Sequence, residues 1–335
     1  MIGQIIAAKN KNPQDFCHLD LGKNNLGNEG VAALMKGISR CKTLVSMDLG
    51  SNDIMLEGAS LLFRALRTHG SLSVLTIANH DRLHRNRIGL QACEDLKEML
   101  MKNRIISSLN IADNRIGNEG LHVISPALDE HCTLVMLNMQ NNDLEGLPIV
   151  NGLSKYLRTT RNLIELNLGS NKIGDVALTK LSEVFQDNSC RLQKLGLQNC
   201  SVTAAGVGVL LHFLRINNYL RSLNLNNNDL SGTEFNRIQL MLWNNRVLQS
   251  LSLSGCRLGK VAAEAIGEGL SKNSTLLKLD ISDNVFPADS LHSWVQSNPK
   301  SLRHLRSLDI SQNHHLGDSD ILHLLHCFRN QTFKL

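Results

Sequence analysis

Short alternating segments recur along the chain, and each is followed by a longer amphipathic segment. Within residues 163–173, Leu166 and Leu168 alternate with polar or small residues, a period of two that predicts a short strand with one buried face. Val261–Leu270 instead places its apolar residues three to four positions apart, which predicts a helix with one buried face. Each unit is therefore predicted to be a strand, a turn and a helix.

The alternating segment follows the pattern LxxLxLxxNxL, with the first leucine as position 1, and it occurs eleven times. Position 9 falls at Asn24, Asn52, Asn86, Asn114, Asn142, Asn171, Cys200, Asn228, Cys256, Asn284 and Asn313. The steps between these residues are 28, 34, 28, 28, 29, 29, 28, 28, 28 and 29, so one repeat carries a six-residue insertion. No single unit can bury its apolar side alone, and a fixed period of this kind predicts a solenoid of stacked repeats.

The side chains at position 9 are predicted to form an internal structural ladder. An asparagine amide both donates and accepts hydrogen bonds, so it can satisfy backbone groups in the tight turn that leaves each strand. Cys200 and Cys256 occupy the same position, where a thiol is a weaker donor, and we expect both to be buried structural cysteines.

The repeated pattern resembles the leucine-rich repeat superfamily, and its 28-residue period with a full helix resembles the ribonuclease-inhibitor-type subfamily. The resemblance extends from about Phe16 to the end of the chain. It implies an α/β leucine-rich-repeat solenoid, a horseshoe with parallel strands on the concave face and helices on the convex face. Members include ribonuclease inhibitor, the Ran GTPase-activating protein, sensor domains of NOD-like receptors, the tropomodulin C-terminal domain and structural proteins of cilia. Fold alone does not choose among these functions.

We expect one continuous domain over residues 1–335. It comprises a partial N-terminal repeat at 1–15, eleven repeats at 16–332, and the start of a truncated repeat at 333–335. A stack of repeats normally needs caps over its terminal core faces, and neither end shows one. We therefore expect flanking sequence or neighbouring proteins to cover both ends.

Composition narrows the class of protein. The net charge is +5, from 35 Lys+Arg against 30 Asp+Glu, without a run of like charges that indicates a nucleic-acid tail. The eight cysteines form no CxxC pair, which argues against a zinc or redox site and favours a reducing compartment. The sequence shows neither a signal peptide nor an apolar run of about 18 residues. We expect a cytoplasmic protein, with cytoskeleton or cilium as narrower locations, and no membrane, nucleic-acid, cofactor, metal or small-molecule ligand.

The insertion runs from Ala78 to Arg85, between strand residue Ile77 and the turn at 86–89, and together with that turn it concentrates basic side chains. These are His80, Arg82, His84, Arg85 and Arg87. Insertions in solenoids map to loops on one edge, often the binding edge. Two interpretations stay open: a solvated loop that packs Leu83, or a basic docking loop for an acidic partner. A metal site from the two histidines is disfavoured because no cysteine or second pair of ligands is near in sequence.

Two further sets of residues are candidates for partner binding. Position 5 of each repeat should face the hollow of the solenoid, and its Asp and Asn members are Asp20, Asp48, Asn110, Asn138, Asn167, Asn224, Asp280 and Asp309. Trp243, late in a helix, is predicted either to be exposed on the outer face or to pack on the neighbouring helix. Trp294 aligns with Ile266 and is predicted to be core.

The sequence contains no P-loop and no GxSxG motif, and its paired aspartates at position 5 lie on an open surface without an implied pocket. We therefore predict a non-enzymatic protein–protein interaction scaffold or adaptor within a large intracellular assembly, with a ciliary or cytoskeletal, microtubule-associated role as the narrower hypothesis. The alternatives are a GTPase-activating protein of the Ran type and the sensor domain of an NOD-like receptor. The positive charge and low cysteine content disfavour inhibition of a basic ribonuclease.

Overall fold

The computed structural model describes residues 18–39, 41–79, 83–130, 133–186, 188–292, 294, 301–327 and 332–334. They belong to two compact units, Met1–Asn167 and Leu168–Leu335. In each unit a three-residue strand alternates with a helical segment, and successive strands pair in parallel in chain order. This arrangement confirms the predicted α/β solenoid of leucine-rich repeats.

The first unit contains strands β1 to β6 and helices α1 to α5. In chain order these are β1 (His18–Asp20), α1 (Gly27–Ile38), β2 (Ser46–Asp48), α2 (Leu56–Leu66), β3 (Val74–Thr76), α3 (Gly89–Lys102), β4 (Ser108–Asn110), α4 (Gly117–Glu130), β5 (Met136–Asn138), α5 (Leu147–Thr159) and β6 (Glu165–Asn167).

The second unit contains strands β7 to β12 and helices α6 to α10. In chain order these are α6 (Gly174–Ser182), β7 (Lys194–Gly196), α7 (Ala204–Leu214), β8 (Ser222–Asn224), α8 (Arg237–Asn244), β9 (Ser250–Ser252), α9 (Lys260–Lys272), β10 (Lys278–Asp280), β11 (Ser307–Asp309), α10 (Asp318–Cys327) and β12 (Thr332–Lys334). Short 3-10 helices lie at Glu183–Phe185, Thr233–Asn236 and Ser301–His304. β12 pairs with β11 where the sequence predicts the start of a further repeat.

The strand register aligns the leucines that form the core. Met47 of β2 pairs with Leu75 of β3, and Leu75 pairs with Leu109 of β4. All three side chains are 0% exposed, so a continuous apolar row lies under these strands. Successive side chains of a strand point to opposite faces, so positions 3 and 5 lie on the face away from this row.

Each helix covers the apolar row with one face. In α3 the buried positions include Ala92, Leu96 and Met99, the spacing of one helical face. In the second unit Trp294 is 1% exposed, and its indole Nε1 donates to the Ala263 carbonyl at 2.7 Å. The prediction that Trp294 is core is therefore confirmed. Within the described ranges, no helix has both the length and the apolar character that crossing a membrane requires.

Candidate functional site

The side chains at position 9 connect each turn to the turn of the preceding repeat. Asn284 shows the full pattern, because its Oδ1 accepts the backbone N–H of Cys256 at 3.1 Å and that of Leu258 at 2.9 Å. Its Nδ2 donates to the carbonyls of Leu253, Ile281 and Ser282 at 2.9–3.0 Å. One amide therefore fixes its own turn and the turn before it.

The predicted ladder residues occupy this place in both units. In the first unit Asn52, Asn86, Asn114 and Asn142 are buried, and in the second Asn171, Cys200, Asn228, Cys256, Asn284 and Asn313 are buried. Asn24 differs because it is exposed, and its Nδ2 donates only within its own turn, to the carbonyls of Leu21 and Gly22.

The two cysteines of the ladder supply a donor and no side-chain acceptor. The Cys256 thiol points to the Leu225 carbonyl at 3.3 Å, and burial raises its pKa to about 12. Burial also raises the pKa of the Cys200 thiol to about 12. Asn284 Oδ1 accepts the N–H of Leu258 in the repeat before it. At Cys256 no such oxygen is present, and the corresponding Leu230 N–H donates to the Cys256 backbone carbonyl at 3.0 Å. Both thiols therefore stay protonated at neutral pH and act as structural groups.

A second ladder, which the sequence analysis missed, lies at the turn from helix to strand. Its members are His69, Asn103, Asn217, Asn245 and Asn273, all buried. In Asn273, Nδ2 donates to the Leu242 carbonyl at 2.7 Å and Oδ1 accepts the N–H of Leu276 at 2.8 Å. In the sequence this ladder shows only as an Asn that recurs three residues before the first leucine of a repeat. Several repeats have another residue at that position.

His69 replaces the asparagine in this second ladder. Its Nε2 lies 3.2 Å from the Ile38 carbonyl, and its Nδ1 accepts the N–H of Leu72 at 3.1 Å. These partners require the neutral ring with the proton on Nε2, because protonation of Nδ1 would remove the acceptor. Burial lowers the pKa of His69 below its ordinary 6.5, in agreement with that tautomer.

The Asp and Asn side chains at position 5 close the turn that follows their own strand. In each case Oδ1 accepts the backbone N–H two residues further on, at 2.7–3.3 Å. This holds for Asp20, Asp48, Asn110, Asn138, Asn224, Asp280 and Asp309. Asn167 donates through Nδ2 to the Gln140 Oε1 at 2.9 Å. The sequence indicates these residues only as candidates for partner binding, and their structural role becomes visible only in the fold.

The strand register brings these position-5 residues into rows. In the first unit Asp20 pairs with Asp48, and Asn138 pairs with both Asn110 and Asn167. In the second unit Asp280 pairs with Asp309, and Asn224 lies between Gly196 and Ser252. Apart from the exposed Asp20, the candidates are half-buried, so each row presents polar atoms on the strand face.

The insertion in the third repeat is fastened at its base by Asn79. The Asn79 Oδ1 accepts the N–H of Asn86 at 2.7 Å, and its Nδ2 donates to the carbonyls of Asn86 and Asp113. The Asn86 N–H therefore does not reach the Asn114 amide, whose Oδ1 is buried and has no hydrogen-bond partner among the described residues. The insertion thus interrupts one step of the ladder.

The basic residues of the insertion are not equivalent. His80 and Arg82 lie outside the described residues. The His84 Nδ1 lies 2.6 Å from the Asp53 Oδ2, and Arg85 lies 3.6 Å from the Asp113 Oδ2, so both contact acids of neighbouring repeats. Arg87 is exposed. Leu83 is 69% exposed, so the expected packing of Leu83 is wrong, while the solvated-loop and docking-loop interpretations both stay open.

Trp243 packs on the neighbouring helix, the second of its two predicted positions. Its Nε1 donates to the Glu268 carbonyl of α9 at 2.6 Å, and the Lys272 Nζ lies 4.0 Å from the ring centroid. The side chain is half-buried, so part of the ring still faces solvent. The ring therefore ties α8 to α9 and is not a free anchor.

The edge at which the strands begin differs in chemistry between the units. In the first unit, position 2 carries Ser73 and Ser107 and three partly exposed apolar side chains, Val45 at 38%, Val135 at 38% and Ile164 at 36%. In the second unit the same position is mostly polar, with Gln193, Arg221, Gln249 and Arg306 beside Leu277. Among the described residues, no group of three or more His, Cys, Asp or Glu side chains is arranged to hold a metal ion.

Comparison with known proteins identifies the repeats. The Leucine Rich repeat family matches residues 18–35, 40–63, 102–125, 160–182, 244–267 and 301–324, and a second family of that description matches 219–241. The chain is a leucine-rich repeat protein. This leucine-rich repeat protein is 29% identical to Sus scrofa ribonuclease inhibitor over 272 residues, 71% of the chain and 59% of that protein. Together with the 28-residue period, this similarity places it in the ribonuclease-inhibitor type.

Other relatives carry these repeats within longer chains. The leucine-rich repeat protein is 33% identical over 208 residues to Homo sapiens NACHT, LRR and PYD domains-containing protein 12, covering 61% of the chain and 19% of that relative. It is 28% identical over 301 residues to Homo sapiens NACHT, LRR and PYD domains-containing protein 14, covering 81% of the chain and 27% of that relative. It thus spans less than two thirds of these curated relatives.

A solved structure agrees in fold alone. It is the octameric complex of Latrophilin 3, Unc5D and FLRT2 (LRR), with a TM-score of 0.52 and 18% identity over 95% of this chain and 83% of that one.

Proposed function

We propose that this leucine-rich repeat protein is a non-enzymatic protein–protein interaction scaffold or adaptor. The observation that carries the proposal is the turn-closing hydrogen bond of the position-5 side chains. Asp280 and Asp309, which pair on neighbouring strands, each accept a backbone N–H and a serine hydroxyl at 2.6–3.1 Å. These bonds hold the two carboxylates in place as structural groups. The strand face therefore presents regular rows of fixed polar atoms, which suit recognition of a protein partner.

The remaining surface supports the same proposal. The buried thiols of the ladder are protonated and point to backbone carbonyls, so they are poor nucleophiles. The partly exposed Val45, Val135 and Ile164 give the first unit apolar contact area at the edge of its strands, a feature of protein interfaces when polar groups surround it.

Site-specific photo-crosslinking in native extract tests the proposal. A photoreactive residue replaces Ser46 or Ser250 on the strand faces, and the controls carry it at the exposed helical residues Gln91 and Lys260. We expect the same protein partners to be captured from the strand positions and not from the helical ones. Equal capture from all four positions, or turnover of a substrate by the purified chain, would contradict the proposal.

The insertion and Trp243 are proposed as additional contacts. Arg87 and His84 are both exposed, but His84 contacts Asp53 and the half-buried Arg85 contacts Asp113, so Arg87 is the residue chosen for the test. Replacing Arg87 with Ser should weaken capture of the partner. The matched control is Arg115→Ser, because Arg115 is exposed at the same repeat position. Equal capture by both variants would remove the docking-loop hypothesis.

A narrower proposal places the protein in the cytoplasm, within a cytoskeletal or ciliary assembly. The net charge of +5 supports it, because a mildly basic surface suits an acidic polymer such as a microtubule. Co-sedimentation of the purified chain with microtubules over increasing salt tests it. A chain that stays in the supernatant at every salt concentration would remove the microtubule proposal.

A second candidate is the sensor region of an NOD-like receptor, and the identity of 28% over 81% of the chain to NACHT, LRR and PYD domains-containing protein 14 favours it. Immunoprecipitation with an antibody to residues 188–292, followed by peptide mass spectrometry, distinguishes the receptor candidate from the scaffold proposal. Peptides of a nucleotide-binding domain in the same polypeptide would support this candidate, and a native chain near 37.1 kDa would oppose it. The Ran-type alternative remains a hypothesis that a GTP-hydrolysis assay tests.

A further inference from the structure

A cleft of about 330 Å³ lies in the second unit, at the edge where its strands begin. Four consecutive repeats line it with their residues at positions 2 and 3. The lining residues are Gln193, Lys194, Arg221, Ser222, Gln249, Ser250, Leu277 and Lys278. Three of the eight are cations and none is acidic, so the cleft has a positive potential that the chain as a whole has only weakly.

The backbone under the cleft is rigid because each position-2 carbonyl accepts two hydrogen bonds from the next repeat. The Gln193 carbonyl accepts the N–H groups of Arg221 and Ser222 at 2.8 and 2.9 Å. The Gln249 carbonyl accepts those of Leu277 and Lys278 at the same two distances. The side chains that line the cleft are thus mounted on a fixed main chain, which lowers the entropic cost of ordering them around a ligand.

The charges are spaced in a way that fits an extended chain. The register pairs Lys194 with Ser222, Ser222 with Ser250, and Ser250 with Lys278. Parallel strands lie about 4.8 Å apart, so the two lysines stand on strands about 14 Å apart. In an extended peptide, side chains four residues apart point to the same side and lie about 13 Å apart. Arg221 lies at position 2 of the repeat next to that of Lys194, and it adds a third cation between the two strands that carry the lysines.

Two of the three cations are also available to a ligand. Arg221 and Lys278 are both exposed, and among the described residues neither forms an ion pair. The acid nearest in sequence, Asp280, lies two residues beyond Lys278 and is held by Ser282 through two hydrogen bonds. A negative ligand is thus attracted to positions 2 and 3 and repelled by Asp280 at position 5 of the last lining repeat, which favours the strand edge.

We infer that this cleft binds an acidic, extended segment of a protein partner, with carboxylates at alternate residues. The inference rests on the proposed function as an interaction scaffold and names the partner chemistry of one face. Neutral Ser and Gln side chains separate the cations, and they supply hydrogen-bond partners for a peptide backbone. Single-stranded nucleic acid prefers a continuous cationic groove with aromatic stacking residues, and no aromatic side chain is among the eight lining residues.

Fluorescence anisotropy with a labelled peptide tests the inference on the full chain. The probe carries glutamate at three alternate positions, and the control probe carries glutamine there. The double variant Arg221→Ser and Lys278→Ser removes two cations of the cleft. The matched variant Lys172→Ser and Lys260→Ser removes the same charge from exposed positions outside the lining.

We expect the glutamate probe to bind and the glutamine probe to bind at least about tenfold more weakly. The cleft variant should lose about tenfold to a hundredfold in affinity and the matched variant less than about threefold, with binding that weakens as salt rises. Equal losses in the two variants, equal affinity for both peptides, or tighter binding of a labelled single-stranded RNA would each overturn the inference. A thermal melt of each variant checks that it is folded.

Failure of this inference is distinguishable from failure of the proposed function. If the peptide does not bind but photo-crosslinking from Ser46 or Ser250 still captures a partner, the acidic-segment inference falls and the scaffold proposal stands. If the peptide binds selectively and no partner is captured from the strand faces, the inference that the cleft binds acidic segments stands and the scaffold proposal falls.

Discussion

Replacement of Asn284 by alanine removes one complete step of the position-9 ladder. The backbone N–H groups of Cys256 and Leu258 lose their acceptor, and the carbonyls of Leu253, Ile281 and Ser282 lose a donor. The site is 6% exposed, so water cannot replace these bonds without local opening. A buried group left unsatisfied costs about 1–3 kcal/mol, and the two N–H groups alone give an expected loss of about 2–6 kcal/mol in the free energy of unfolding.

Two matched variants isolate the cause. Asn24→Ala removes the same amide at an exposed position, where water can bond to the Leu21 and Gly22 carbonyls, so we expect a loss below about 1 kcal/mol. Asn284→Cys keeps a weak donor and loses the acceptor, as at Cys256, so its loss should fall between those of the two alanine variants.

Urea denaturation followed by circular dichroism measures the change in stability. Amide hydrogen exchange at Cys256 and Leu258 gives the local readout, because these are the donors that the substitution leaves without an acceptor. If Asn284→Ala stays within about 0.5 kcal/mol of the wild-type chain and both amides keep their protection, the ladder does not hold the turns.

Three further predictions concern the turns. The folded-state pKa of His69 is lowered, so its contribution to stability should be complete above about pH 6.5 and be lost as pH falls through the folded pKa. In His69→Asn, which restores the residue type of Asn103 and Asn273, thermal melts from pH 8 to pH 5 should lack this loss; an unchanged pH profile would contradict the assignment. Asn79→Ala should lower the free energy of unfolding by about 1–3 kcal/mol and speed tryptic cleavage after Arg85; equal cleavage rates in variant and wild type would mean that Asn79 does not fasten the insertion. Cys256→Asn should stabilise the chain by about 0.5–1.5 kcal/mol, because an amide oxygen replaces a thiol that cannot accept the turn N–H groups; a lower urea midpoint would show that the site cannot hold the amide.

Much of the fold is predictable from the sequence because its period is local and repeated. The spacing from Asn24 to Asn313 predicts the strands, the turns and the solenoid, and the alignment of Trp294 with Ile266 predicts its burial. The family resemblance adds the parallel arrangement of strands and helices. These features need only the pattern of apolar residues and one polar residue per repeat.

Other features depend on geometry that a single sequence does not state. The turn-closing bond of a position-5 side chain such as Asp280 depends on the backbone angle after the strand, so an exposed polar column and a structural one look alike in sequence. The second ladder is hard to see in the sequence because several repeats, including that of His69, carry a residue other than asparagine at its position. The cleft at Arg221 and Lys278 requires the register of four strands, since its residues lie 28 positions apart.

The interrupted ladder step at the insertion has a consequence for cooperativity. The stability of a repeat array is approximately a sum of terms within repeats and terms between nearest neighbours. At the junction of the third and fourth repeats the Asn86 N–H is bonded to Asn79, and the buried Asn114 Oδ1 lacks its donor, but Asn79 Nδ2 donates across the same junction to the Asp113 carbonyl. In a one-dimensional array the smallest coupling marks where partial unfolding divides the chain. Coupling of these two repeats therefore depends on the base of the insertion, and loss of Asn79 would move the point of partial unfolding to this junction.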